Sequence, residues 1–433
     1  MSKITFLGAG STVFAKNVLG DCMTVDALQD FEFALFDIDD ERLKDSELML
    51  NNIKKNLGST VKIVSYTDRK EALRGAKYVI NAIQVAGYDP GTIVDFEIPK
   101  KYGLRQTIAD TIGIGGIFRS LRTIPVLLDF AKDMEEVCPD AWFLNYTNPM
   151  ATLTGIMTRF TNIKTVGLCH SVQVCAPELL ESLDMPTDNI QYHIAGINHV
   201  AWLLEITRNG EDLYPEIKKR AKEKQKTNHD DMVRFEIMDK FGYYLTESSE
   251  HNAEYHPYFI KSQYPELIER FNIPLDEYPR RCVNQIEDWK KMRDDIVHNQ
   301  ELTHTRTHEY GSYIIEAMET NTPFKFGGNV LNSGQVIENL PSNAVVEVPC
   351  IADATGIVPT HVGRLPEQLA ALDRTNINTQ LLTIEAAITG KKEHIYHAAM
   401  LDPHTSAELS MDDIISLCDD LIEAHGDWLP EFK

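Results

Sequence analysis

Along the first 170 or so residues, short apolar β-branched runs alternate with segments whose apolar positions recur at helical spacing. Ile4 to Leu7 is the first such run. Phe33–Phe36, Tyr78–Ile83, Trp142–Tyr146 and Thr165–Leu168 read as further strands, each behind a helical stretch such as Glu41–Lys54 or Leu121–Glu136. That rhythm predicts a parallel sheet covered on both faces by helices, a Rossmann-type doubly wound α/β fold. After about residue 195 the rhythm changes to an apolar stretch at Val200–Ile206, a basic run at Lys218–Lys226 and long mixed segments without a clear βαβ unit. The expected division is therefore an NAD-binding domain over 1–195 and an α+β domain over 196–433, of the lactate/malate dehydrogenase C-terminal type, for substrate and oligomerisation.

Composition narrows the class. The chain has 433 residues, 43% of them hydrophobic and 25% charged, enough apolar material for a substantial core. Lys and Arg total 42 against 65 Asp and Glu, so 42 − 65 = −23, a charge that repels nucleic acid and anionic membranes. A small-molecule substrate fits better, and the run 218–226 reads as a solvated helix face. The seven cysteines form no C-x-x-C pair and are expected to be reduced thiols. The apolar run after Met1-Ser2-Lys3 is too short for a signal peptide, and none approaches the roughly 20 residues of a membrane-spanning helix. The expectation is a cytoplasmic protein with no membrane or nucleic-acid partner.

Gly8-Ala9-Gly10-Ser11-Thr12 follows the first strand and opens a helical stretch, the place where a dinucleotide pyrophosphate rests on helix N-terminal amides. Gly8 permits the tight turn and Gly10 lets backbone approach phosphate, while Val13 replaces the third glycine of the fingerprint. Asp37, ending the second strand, is placed to accept hydrogen bonds from a ribose and favours NAD over NADP. The plainer alternative is a glycine turn with a capping acid. Asn81, opening Asn81-Ala82-Ile83-Gln84-Val85-Ala86-Gly87, ends another strand along the edge where the cofactor would lie.

Three polar clusters lie after strands or near the domain junction: Asn145-Tyr146-Thr147-Asn148-Pro149, Cys169-His170-Ser171 and Gly196-Ile197-Asn198-His199. Cys169 offers a thiolate and His199 an imidazole, two donors that hold a divalent cation while leaving positions open for substrate oxygens. Taken singly, each is more often a buried thiol or a core histidine. Donor softness points to zinc, iron, cobalt or nickel before manganese. The glycine-rich Asp110–Ile117 reads either as a helix-start turn or as a loop lining cofactor and sugar.

These segments, with Ile4–Ser11, Gln106–Thr111, Gly167–Ser171, Glu247–His251 and the tail Ala424–Pro430, resemble glycoside hydrolase family 4, the NAD-dependent glycosidases, over the whole chain, and within it the melibiase branch. The resemblance implies an α-galactosidase acting on melibiose-like α-galactosides with NAD and Mn2+. The implied mechanism oxidises C3, removes the C2 proton, eliminates the C1 leaving group, adds water and returns hydride to C3. It assigns the metal to Cys169 and His199, and substrate contacts to Asn148 and Asp110. Tyr255 is its C2 base, with Tyr243, Tyr244 and Tyr258 close in sequence. Arg280 and Arg281 are expected beside that tyrosine to favour phenolate, Arg280 also contacting substrate. His170 stands where phosphosugar-cleaving members carry Asp, so it is the expected acid and that departure argues against a phosphorylated substrate. A homodimer or homotetramer is implied. The alternatives are an α-glucosidase or α-glucuronidase/galacturonidase of the same family, a 2-hydroxy acid dehydrogenase, or an NAD-sensing protein without catalysis.

Overall fold

The computed structural model describes residues 2–433. Its first six strands are β1 (Lys3–Leu7), β2 (Glu32–Phe36), β3 (Lys62–Tyr66), β4 (Tyr78–Asn81), β5 (Trp142–Asn145) and β6 (Lys164–Gly167). They pair in parallel in the order β3-β2-β1-β4-β5-β6, the Rossmann arrangement. Helices on both faces bury the central strands, which accounts for their unbroken apolar runs. β3 went unread in the sequence because Lys62-Ile63-Val64-Ser65-Tyr66 is an edge strand whose side chains are only partly covered or exposed. The expected strands at 78–83 and 142–146 end early, at Asn81 and Asn145, where the chain leaves the sheet for loops that line a cavity.

The second half supplies β7 (Ile190–Ile197), β8 (Val200–Arg208), β9 (Glu211–Asp212), β10 (Tyr244–Leu245), β11 (Phe324–Leu331), β12 (Val345–Asp353) and β13 (Gly356–Pro359). These extend the same sheet. β11 joins β6 through Asn329 and Gly167, and β12 joins β7 through Glu347 and Gly196, giving 13 strands in all. The parallel half thus meets the antiparallel half directly beside the C-terminal end of β6, where Cys169 follows.

A buried ionic cluster fixes the helices behind this junction. Arg122, in the helix Gly113–Val137, donates to Asp95 at 3.0 and 2.6 Å, and His425 Nε2 lies 2.9 Å from the same carboxylate. The Asp95 carbonyl accepts from Gln106 Nε2 at 2.8 Å, so the cluster also anchors the loop leading to Asp110. The pairing satisfies charges that would otherwise be unfavourable to bury.

The basic run falls largely in the helix Tyr214–Lys224, where Lys219 and Arg220 pair with Glu216, and Lys226 beyond it pairs with Glu223. It is a solvated, charge-balanced face. All seven cysteines are free; six are buried and Cys169 is partly exposed. Among the described residues no helix is long and apolar enough to cross a membrane.

Candidate active site

The site begins at the turn after β1. Gly8 adopts φ 86°, and a Cβ there would stand 2.7 Å from the Ala82 carbonyl oxygen. Gly10 donates its N–H to Asp37 Oδ2 at 2.6 Å, and a Cβ on Gly10 would approach that same oxygen to 2.7 Å. The other Asp37 oxygen accepts from Asp39 N–H at 2.9 Å, and Asp39 caps the helix Asp40–Leu57. Ser11 precedes the helix Thr12–Met23 without a side-chain cap bond. Asp37 therefore links the glycine turn to the next helix and remains half-buried at the edge where a ribose would lie. Gly10→Ala is expected to weaken dinucleotide affinity about ten-fold or more, because the added methyl must displace the Asp37 carboxylate; titration with NADH fluorescence reads this directly.

A cavity of about 340 Å³ opens at the C-terminal ends of the parallel strands, the usual ligand position in such sheets. Phe14, Ile83, Gln84, Asp110, Asn148, Cys169 and His170 line it. Asn81 does not reach it. That side chain is fully buried and donates to Asn145 Oδ1 at 2.9 Å and Thr147 Oγ1 at 3.1 Å, tying β4 to the β5 loop.

Cys169 and His199 do converge. His199 occupies the two-residue turn between β7 and β8 at φ 68°, a left-handed conformation unusual for histidine. Ligand atoms of Cys169, His199 and Glu247 all lie within 4.8 Å of one another, and so do those of Asp110, His199 and His251. Glu247, at φ 61°, is a donor that residue-by-residue reading of the sequence did not single out. Its Oε2 is 3.3 Å from His199 Nε2, while the other oxygen is 3.5 Å from His251 Nδ1.

The electrostatics of the cluster favour a cation. Burial opposes charge on His199, yet Glu247 and Cys169 outweigh it and push the imidazole up to about 10. Burial likewise opposes charge on Glu247, but His251 and His199 hold its carboxyl at about 2. A proton held this firmly among sulfur, nitrogen and carboxylate donors occupies a place that a divalent cation can take over. The donor set therefore fits a metal.

Asp110 is presented by a constrained loop. Glu254 accepts the backbone N–H groups of Thr107 at 2.8 Å, Ile108 at 3.3 Å and Ala109 at 2.8 Å, although burial pushes its own carboxyl up to about 7. Ala109 is held at φ 53°, and Cβ atoms on Gly115 and Gly116 would strike the carbonyl oxygens of Ala109 and Thr111 at 2.4 and 2.6 Å. The glycines of 113–116 thus let the loop lie on the start of its helix, which begins at Gly113, as the helix-start reading of that segment expects. Asp110 accepts from Thr111 Oγ1 at 2.8 Å and from Asn148 Nδ2 at 3.5 Å. Asn148 Oδ1 is buried without a partner.

Tyr255 is fully buried, its hydroxyl 3.0 Å from His199 Nδ1. Burial pushes this phenol well above its ordinary value, with Asp110 and Glu254 adding to the effect. Arg280 and Arg281 do not counter it, contrary to expectation. Arg280 is largely exposed and held by Glu277, while Arg281 is shared by Glu277 and Glu250. Neither lines the cavity, because both salt-bridge within or beside their own helix, Glu277–Val297. Arg119 and Tyr278 line it instead. The rival tyrosines lie elsewhere: Tyr244 is buried against Asp231, Tyr243 packs on Tyr214 and Tyr258 is nearly half exposed.

His170 follows Cys169 and is half exposed, its Nε2 lying 2.8 Å from Glu309 Oε2. The rings of Phe14, Tyr146 and Tyr310 surround the imidazole, with centroids at 6.4, 5.8 and 5.9 Å. Glu309 was not singled out in sequence because it lies 139 positions away.

Comparison with known proteins matches this chain to the family 4 glycosyl hydrolases over residues 3–185 and to that family's C-terminal domain over 194–405. It is 74% identical over 433 residues to an α-galactosidase of Bacillus subtilis (strain 168), covering all of both chains. An α-galactosidase of Rhizobium meliloti (strain 1021) is 34% identical, covering 99% of this chain and 89% of that protein. Among solved structures, a 6-phospho-α-glucosidase from gut microorganisms in complex with NAD and Mn2+ superposes with a TM-score of 0.84 at 22% identity, covering 100% of each chain.

Proposed function

The chain belongs to the family 4 glycosyl hydrolases, and from that premise we propose that it hydrolyses melibiose-like α-galactosides with NAD and manganese as cofactors that are returned unchanged. The substrate rests on identity to an α-galactosidase over the whole chain. The observation that carries the chemistry is convergence: donor atoms of Cys169, His199 and Glu247 within 4.8 Å, and Cys169 on the wall of a cavity that Asp110 and Asn148 also line.

When bound, the dinucleotide supplies a hydride acceptor for the sugar C3, and the cation supplies a Lewis acid at the C3 oxygen. The chain supplies the rest. Cys169 and His199 hold the cation, with Glu247 beside them. Gly8, Gly10 and Ser11 present backbone to the pyrophosphate, and Asp37 accepts from the ribose. Asn148 and Asp110 orient the sugar hydroxyls. Tyr255 takes the C2 proton through its phenolic oxygen, and His170, braced by Glu309, holds the proton given to the leaving-group oxygen. The same reading divides the chain at 195/196 and gives a cytoplasmic homodimer or homotetramer.

The test is hydrolysis of melibiose in heavy water, with NMR of the released galactose. Deuterium at C2 is expected, since a proton removed there is replaced from solvent. Galactose released with only protium at C2 refutes the elimination route, and net accumulation of NADH with a 2-hydroxy acid would favour a dehydrogenase.

A further inference from the structure

Arg119 is a buried charge in the cavity that none of these roles uses. It lies in the second turn of the helix Gly113–Val137 and is only 8% exposed. Arg122, in the same helix, is held by both oxygens of Asp95. Arg119 has no ion pair among the described residues. Its one hydrogen bond is from Nη1 to the Tyr278 hydroxyl at 3.4 Å, with the guanidinium 5.7 Å from the Tyr278 ring centroid. A guanidinium carries five N–H donors, and those of Arg119 that Tyr278 does not take open onto the cavity it lines, ready for acceptor oxygens on what enters it.

The neighbours define that ligand. Asp110, on the same wall, supplies a negative charge near the guanidinium. Asn148 lines the same wall and its amide N–H reaches Asp110 at 3.5 Å. A carboxylate or phosphate could accept from Arg119, but it would meet the like charge of Asp110. Hydroxyl groups both donate and accept, and therefore suit Arg119 and Asp110 together.

We propose that Arg119, steadied by Tyr278, is a sugar-reading donor of this site: its guanidinium forks onto two neighbouring oxygens of a neutral glycosyl unit, while Asp110 balances its charge and disfavours acidic sugars. This rests on the reading that the cavity takes a glycoside. It predicts the substrate charge from the balance of the wall.

Calorimetric titration of the NAD- and manganese-loaded enzyme with D-galactose and D-galacturonate tests the proposal. Wild type is expected to bind galactose more tightly. Arg119→Gln should weaken galactose by about ten- to hundred-fold with NAD affinity unchanged. Arg119→Lys keeps the charge without the fork; it covers the case in which the glutamine variant fails to fold, and its loss should be smaller but in the same direction. Asp110→Asn unbalances the wall and should move the galacturonate-to-galactose preference toward galacturonate by about ten-fold.

Wild-type galactose affinity in folded Arg119→Gln or Arg119→Lys protein would overturn the proposal. So would loss of NAD affinity in both variants, which would give the guanidinium to the dinucleotide, or an unchanged preference in Asp110→Asn. Should wild type bind neither monosaccharide yet cleave another glycoside, the α-galactoside reading fails, and the KM of the same variants for that glycoside decides the role of Arg119.

Discussion

Cys169→Ser is expected to remove activity by roughly a thousand-fold or more at limiting manganese while leaving NAD affinity within about two-fold. The thiol is the soft donor of the cluster, and serine keeps its size but is a poor ligand to a divalent cation. Outside the donor cluster the sulfur meets Ser171 Oγ at 3.2 Å, so the fold asks little else of it. The glycine turn and Asp37 belong to β1 and β2, so the dinucleotide platform is untouched by the change. Activity measured against manganese concentration, with NAD titration on the same protein, separates the two. Parallel loss of NAD affinity would contradict the assignment. A linked result concerns oxidation. Cys169 is the partly exposed cysteine while the other six are buried, so mild peroxide should inactivate the enzyme and modify this thiol first.

Tyr255→Phe should lower kcat by about a hundred- to ten-thousand-fold and abolish deuterium entry at C2, with little change in NAD affinity. Only the phenolic oxygen is removed. The ring keeps its stacking on His199, where the centroids are 6.1 Å apart. The buried phenol holds its proton tightly, so it becomes a base only with positive charge beside it, and His199 provides the contact to the metal cluster. Tyr258→Phe is the comparison. That side chain is nearly half exposed and packs on Phe241, His256 and Phe259 rather than on His199, so its loss should leave kcat and C2 exchange near wild type. Deuterium entering at C2 in Tyr255→Phe at the wild-type rate would move the base elsewhere.

Much of the parallel half was readable from residue order because each of its buried strands is a local apolar run followed by a helix. Gly8, Gly10 and Asp37 were readable for a related reason: turn, strand end and acid occur at set spacings in one βαβ unit. β3 escaped because an edge strand with one wet side carries no such run. Arg280 was misplaced for the opposite reason. Its charge and its nearness to Tyr255 in sequence suggested a partner, but Glu277, three residues before it, captures it on the outer face of the helix. Asn81 was readable as a strand end, but not its amide's bonds to Asn145 and Thr147, which lie more than sixty positions away.

Residue order by itself determined a glycine turn after the first strand, a doubly wound sheet and a set of polar segments bearing a thiol, an imidazole and an amide, because those features are written within a few residues of one another. The folded chain decided which of them meet. Glu247 joins Cys169 and His199, Glu254 sets Asp110 in place, and Arg119 meets the Tyr278 hydroxyl rather than an ion-pair partner, through contacts spanning tens to more than a hundred positions. The physical reason is burial. Only packing removes these groups from water, and it is their removal that makes the missing partner of each charge and each hydrogen bond count.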